Sequence, residues 1–341
     1  MLRSALTAAL GCALISCTVK PAPGSVTSLP LTVGSSVTSA SLGLDGRLWF
    51  GYLGADAGPG LGSVGLHGVP NTIELAPMAY GYAVDDVAIT PTGTAWLALA
   101  CYPSGSKCSA GYARFPVVLR TSLKVRRIGN GRGEPDGVSL DRDGSAWISD
   151  HKADAVVHIG LDGKQTVWAV PDPRFAPIGV LATARALYLV GDEPGKICRF
   201  DRHGKVAWIP LPDPKSRLSN LAAAPDGTIW VAEYDADRIV SIAPDDSVRS
   251  YAVPTADAHP DAIAVDERGA VWFTEIDTDK LGTIGQDGVV RETLLPYTLS
   301  GPLFVFAGPS QTLYVLGMQS HWFGLYRTFV VATVAEATAF Q

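Results

Sequence analysis

Two carboxylate pairs mark where this chain could do chemistry. Glu233 and Asp235 follow an apolar strand-like segment, and the same arrangement returns forty-two residues later as Glu275 and Asp277. Asp136 and Asp261 stand just ahead of related segments, and His259 lies two residues before Asp261. Carboxylates gathered in one place repel unless they are solvated, protonated or neutralised by a cation. Oxygen donors of this kind suit Mg²⁺ or Ca²⁺ better than zinc. The expected ligand set is Glu233, Asp235, His259, Asp261 and Asp136, with Glu275, Asp277 and Glu233 as the metal candidates. Glu275, Asp277 and His151 are the catalytic candidates; His151, after Ser149-Asp150, is the one histidine at this register.

The elements that must carry these groups are legible in the stretch from Pro260 to Pro296. Short β-branched segments alternate there with turn formers such as Gln286-Asp287-Gly288, the pattern of an up-and-down sheet of four strands. The pattern recurs. An aromatic anchor follows a small or apolar residue at Trp49, Trp96, Trp147, Tyr188, Trp230, Trp272 and Tyr314, at spacings of 47, 51, 41, 42, 42 and 42. Asp-Gly turns precede several anchors, and the fourth segment repeatedly closes on proline at Pro77, Pro171, Pro212, Pro254 and Pro296. Such a sheet cannot bury both faces alone, so neighbouring copies must complete its core. The expected fold is all-β, a seven-bladed β-propeller of four-stranded antiparallel blades. Val26–Leu31 and Phe329–Val334 compete as the outer strand of the last blade, behind a third strand expected at Trp322–Tyr326. Alternating strand direction sends the acidic segments to one mouth of the ring, where Asp85, Asp86, Glu134, Asp150, Asp154, Asp192, Asp237 and Asp279 join them.

Composition narrows the partners. The chain of 341 residues carries 27 Lys and Arg against 33 Asp and Glu, a formal charge of −6, with no basic cluster. Nucleic acid demands the opposite surface. The expected partner is a small-molecule, peptide or protein ligand at the acidic face, and a ring closed on itself predicts a monomer. Residues 1–16 contain Arg3 and the apolar run Ala5–Ile15, too short to span a bilayer. Leu14-Ile15-Ser16-Cys17 resembles the lipobox of a bacterial lipoprotein. That resemblance implies a signal peptide over 1–16, a lipidated Cys17 heading a flexible tether over 17–24, and one propeller domain over 25–341. Thr18, not Asp, then favours the outer membrane, with the domain facing the periplasm or the cell surface. In an oxidising compartment Cys101 and Cys108, around Tyr102–Lys107, are expected to form a disulfide. Cys198 reads as a buried free thiol.

The pattern Pro-x-x-Ile-x-x-Asp, Gly-x-x-Trp-Phe-Thr-Glu, Lys-Leu-Gly-x-Ile, Asp-Gly runs through Pro260–Gly288, and more loosely through Pro135–Gly163 and Asn220–Asp246. It resembles the repeat of the streptogramin B (virginiamycin B) lyase family. The resemblance implies a seven-bladed propeller, Mg²⁺, and an elimination that opens a cyclic depsipeptide using a histidine base two residues after a strand glutamate. Glu275 matches the glutamate; the histidine place holds Asp277. Two readings follow: a non-enzymatic propeller that binds a ligand at the acidic mouth, or a lyase or hydrolase acting on a cyclic depsipeptide or lactone with Mg²⁺ or Ca²⁺.

Overall fold

The computed structural model describes residues 26–31, 36–43, 47–54, 58–64, 71–74, 82–101, 110–116, 126–129, 133–295, 300–308, 312–319 and 328–334. Cys17, Cys108 and the third strand expected at Trp322–Tyr326 lie outside them. Strand β1 (Val26–Leu31) opens the described chain. One sheet then follows another in chain order. They are β2 (Ser36–Leu42), β3 (Leu48–Gly54), β4 (Gly58–Val64) and β5 (Asn71–Glu74), then β6 (Tyr82–Ile89), β7 (Thr94–Cys101), β8 (Gly111–Pro116) and β9 (Arg126–Arg127). The next two are β10 (Pro135–Leu140), β11 (Ala146–Asp150), β12 (Ala155–Ile159) and β13 (Gln165–Ala169), then β14 (Pro177–Ala182), β15 (Ala186–Gly191), β16 (Lys196–Asp201) and β17 (Val206–Pro210). After them come β18 (Leu218–Ala223), β19 (Ile229–Glu233), β20 (Arg238–Ile242) and β21 (Val248–Ala252), then β22 (Pro260–Val265), β23 (Val271–Glu275), β24 (Lys280–Ile284) and β25 (Val290–Leu294).

The last sheet, β26 (Ser300–Ala307), β27 (Leu313–Gln319) and β28 (Thr328–Val334), takes β1 as its outer strand in the order β1-β28-β27-β26. This decides between the two termini: Val26–Leu31 is the outer strand, and Phe329–Val334 belongs to the third, paired on both sides. Both of its edges are thereby satisfied. The chain is an all-β propeller with four-stranded antiparallel blades. Among the described residues no helix is long and apolar enough to cross a membrane.

The core lies between sheets, as the repeat requires. Trp272 and Leu281 of one sheet pack with Val305, Leu313 and Val315 of the next. Val37 and Phe50 from the first sheet pack with Tyr314 and Leu316 from the last. All seven aromatic anchors fall on the second strand of their sheets. Two of them show why Asp precedes the turn. Asp141 accepts the indole N–H of Trp147 at 3.1 Å, and Asp266 accepts that of Trp272 at 3.1 Å. The aspartate thus caps its own hairpin and satisfies a buried donor six residues on. Cys198 is free and fully buried, and burial pushes its thiol up to about 12.

Each innermost strand carries an irregularity in its pairing with the second, between Val84 and Asp86, Pro135 and Val138, Leu218 and Leu221, Pro260 and Ile263, and at the matching place in the other sheets. A bulge leaves a residue unpaired and re-aims its side chain. Here it frees an amide as well, and a buried hydroxyl one strand away receives it. Ser149 Oγ accepts Gly137 N–H at 2.8 Å and Thr274 Oγ1 accepts Ala262 N–H at 3.0 Å.

Candidate functional site

Asp85, Asp136, Ser219, Asn220 and Asp261 all fall within these bulges. The innermost strands β2, β6, β10, β14, β18, β22 and β26 together enclose a central channel of about 960 Å³. Its wall is mixed, with apolar Val87, Ile89, Leu181, Leu221 and Ile263 beside polar Ser139, Ser219 and Asn220, and Asp85, Asp86 and Asp136 stand at its bulged end. Burial pushes the Asp85 carboxyl up to about 7, and repulsion from Asp136, Asp86 and Glu134 adds to it. Asp86 also rises to about 7 through burial, against two bonds that favour the anion: its oxygens accept Val87 N–H and Val138 N–H, each at 2.7 Å. Asp136 rises to about 6, again chiefly through burial, and its Oδ2 is shielded and accepts no hydrogen bond. His151 reaches across from the end of β11, with Nδ1 at 3.6 Å from Asp136 and Nε2 at 3.2 Å from Asp192 on the adjacent blade. Asp85, Asp86, Asp136 and Asp192 thus come together around His151 and the bulged end of the channel.

A second group lies further round the same rim. Arg217 grips Asp235 through two donors, at 2.8 and 2.7 Å, and its guanidinium sits 5.0 Å from the centre of the Tyr234 ring. The Tyr234 ring stacks on His259 at 4.7 Å, and His259 Nδ1 lies 2.6 Å from Asp277 Oδ2. Asp261 is raised by burial and steadied by Ser219.

Glu275 and Glu233 take no part in either group. Both are fully buried. Glu275 accepts the Thr278 hydroxyl at 2.9 Å, and its other neighbours are Lys280 and Glu292 on β24 and β25, the outer half of the sheet. Burial pushes it up to about 7. Glu233 has Arg238 and Asp213 beside it, and burial raises it too. The nearby cation is Lys280, bound to Glu292 at 2.9 Å and to the Thr255 hydroxyl. Among the described residues no three His, Cys, Asp or Glu side chains converge closely enough to hold a metal ion. Glu275, Asp277 and Glu233 therefore do not form the metal set expected from their spacing, because strand-end residues two apart point to different surroundings.

Three further aspartates at the mouth have a conformational job. Asp154, Asp237 and Asp279 hold φ of 47, 47 and 54°, with Gly195 at 72° in the same place one blade along. Asp tolerates this left-handed geometry better than most residues. The carbonyl of each accepts an amide from the end of the fourth strand: Val170, Val253, Leu295 and, for Gly195, Leu211. The carboxylates of Asp237 and Asp279 then tie down the entry to the next blade, Asp237 through Asp257 N–H and His259 N–H, Asp279 through Gly301 N–H. Sequence alone gave no sign of Arg217, Tyr234, Ser219 or Asn220 as mouth residues. Arg217 could have been found by register, since it occupies the place of His259 one repeat earlier.

Comparison with known proteins fits this architecture. The model of the virginiamycin B lyase family matches residues 123–271 and 185–328, more than half of the chain. The chain belongs to the virginiamycin B lyase family. A virginiamycin B lyase from Nocardia farcinica is 31% identical over 97 residues, which span 28% of this chain and 35% of that relative. A solved streptogramin B lyase superposes with a TM-score of 0.76 at 18% identity, over 91% of this chain and 97% of the other. A catalytically inactive histidine-to-alanine variant of virginiamycin B lyase from Staphylococcus aureus, solved with quinupristin, gives 0.75 at 19% identity over 91% and 99%. Within this family, then, the chain retains the shared propeller.

Proposed function

We propose that this member of the virginiamycin B lyase family is a closed seven-bladed ring that binds a ligand at its acidic mouth, through a cationic group on the ligand. One observation carries the reading. Asp85, Asp86 and Asp136 crowd the end of a channel large enough for a small molecule or a peptide side chain, with their carboxyls raised to about 7, about 7 and about 6. Each is unstable as an anion where it stands, so an incoming positive charge gains what the protein does not supply. The lipobox-like Leu14–Cys17 supports a lipid-anchored, exported setting in which the mouth meets ligands outside the cytoplasm.

A second reading is favoured by the His259–Asp277 contact. A carboxylate on Nδ1 orients the ring and leaves Nε2 to accept a proton, the arrangement a general base needs. On this reading the protein is a lyase or hydrolase of a cyclic depsipeptide or lactone, in a fold shared with a streptogramin B lyase and with a virginiamycin B lyase variant solved with quinupristin.

Quinupristin separates the two. Calorimetric titration of the wild type and of Asp85→Asn, beside an assay for ring opening, is expected to show binding that Asp85→Asn weakens about tenfold. Binding unchanged by Asp85→Asn, for quinupristin and for a panel of cationic peptides alike, sinks the first reading. Turnover that survives His259→Asn sinks the second.

A further inference from the structure

One cleft on the opposite rim is lined by two arginines. It lies between the second and third sheets, at the ends where Thr94 leaves one turn and Gly160–Gly163 makes another, and has a volume of about 270 Å³. Its floor is Trp96 and Tyr112, both buried and stacked at 6.0 Å. Two guanidinium groups line it, Arg114 and Arg126. Arg114 lies over Trp96, 5.1 Å from the ring centre, and its Nη1 donates to the Leu161 carbonyl at 2.6 Å. Among the described residues neither arginine has a carboxylate within ion-pair distance, in a chain whose net charge is −6.

The cleft is built. Gln165 on β13 accepts Gly129 N–H at 2.8 Å and donates to the Arg127 carbonyl at 2.9 Å, which clamps the short strand β9 and its Arg126 against the next blade. Gly163, at φ 82°, leaves room for the Arg126 guanidinium. A β-carbon there would fall 2.9 Å from Nη1. Asp162 also borders the cleft, but its Oδ1 is committed to Lys164 N–H within its own turn.

We propose that this cleft is a binding site for a small oxyanion, a carboxylate or phosphate group held in the two guanidinium forks. Planar forks match such groups through paired donors, and Arg is weakly hydrated enough to do so on an aromatic floor. The volume falls just below the usual range of about 300–1,000 Å³ for ligand pockets, which fits a small anion and not a folded partner. The site is separate from the acidic mouth, which repels the same ligand.

The test is calorimetric titration of the full chain with inorganic phosphate and, separately, with succinate, against sodium chloride at equal ionic strength. One anion per chain is expected to bind with a heat that chloride does not give. Binding of phosphate alone identifies a phosphoryl ligand, and binding of succinate alone or of both identifies a carboxylate-tolerant site; each supports the proposal. Arg126→Gln, an exposed change that leaves the fold intact, is expected to weaken binding at least tenfold. Arg126→Lys should recover only part of it, because the charge returns without the fork. Arg249→Gln, an exposed change of the same charge on β21, should leave anion binding as in the wild type. The proposal is overturned by the absence of any anion-specific heat, by Arg126→Gln binding as the wild type does, or by an equal loss in Arg249→Gln.

Discussion

His259 and Asp277 meet at 2.6 Å across eighteen residues of chain, and that separation is shared. Arg217 binds Asp235 and Glu134 binds Lys152 at the same separation of eighteen, one and three repeats earlier. In each case the residue before the innermost strand pairs with a residue of the loop after the second strand. Two of these pairs join a carboxylate to a lysine or an arginine. The repeat thus supplies a latch, and one copy of that latch contains an imidazole. Because His259 sits at φ 49°, a geometry in which His, Asn and Asp are enriched, Asn is the replacement that preserves the backbone.

Asp277→Ala should free the imidazole without unfolding the protein. Asp277 is more than half exposed, so the pair contributes at most about 1 kcal/mol. Long-range ¹H–¹⁵N correlation spectra should show His259 protonated on Nδ1 in the wild type at pH 8 and on a mixture of nitrogens in the variant. An unchanged tautomer would mean that the contact does not hold in solution.

Stability should fall as pH rises through the neutral range. Asp85, Asp86 and Asp136 are raised from 3.8 to about 7, about 7 and about 6, and Glu275 from 4.5 to about 7. Below the ordinary values both states hold these protons and the stabilising contribution is complete. Between those values and 7 the unfolded chain gives its protons up while the folded chain keeps them. The native state then binds more protons, so the contribution is lost with rising pH. Asp287, depressed to about 2 by Arg291, has already ionised in both states and does not mask the trend. Melting temperatures at pH 4.5, 6 and 7.5 check this, and Asp85→Asn should make the decline shallower.

Asp266→Ala should destabilise by roughly 2–4 kcal/mol. It strands the buried Trp272 indole N–H and two turn amides, Arg268 and Ala270, and an unsatisfied buried donor costs about 1–3 kcal/mol. Urea unfolding followed by tryptophan fluorescence measures it. A loss under 1 kcal/mol would show that water reaches those groups.

Gly282→Ala tests packing where no polar group is involved. An added β-carbon would lie 2.0 Å from the Phe273 ring, which is fully buried and cannot swing aside. Overpacking of this kind costs typically about 1–3 kcal/mol. Gly269→Ala is the matched control for space, since nothing lies within 4 Å of it, although its φ of 82° still strains the substitution. Urea midpoints for the two variants separate crowding from backbone strain, and equal losses would show that Phe273 can yield.

The fold was legible because its signal repeats. The aromatic anchors, the hairpin aspartates and the proline stops each report a local requirement, and their recurrence lets the copies reinforce one another. The mouth was legible only in part. Register sends Asp136, Asp261, Asp235 and Asp277 to one rim, and strand direction alone suffices for that. It does not say where a side chain points once it arrives. Glu275 and Asp277 are two residues apart, yet one is buried toward the outer strands and the other is at the surface beside His259. The bulges on the innermost strands, which aim Asp85 and Asp136 at the channel, have no residue signature that spacing can detect. Arg217 escaped notice because charge type changes along the repeat while position does not.

The pairing of β1 with β28 sets an order of events. Val26–Leu31 must wait, unpaired, until Phe329–Val334 has been made, since those residues hold its hydrogen-bonding partners. Until then the opening segment is a loose end and the final sheet is one strand short, so the molecule completes itself in a single late step. Anything that occupies Val26–Leu31 early, whether a fused sequence or a passing strand from another copy, competes with that step and would leave an otherwise finished protein open at one seam.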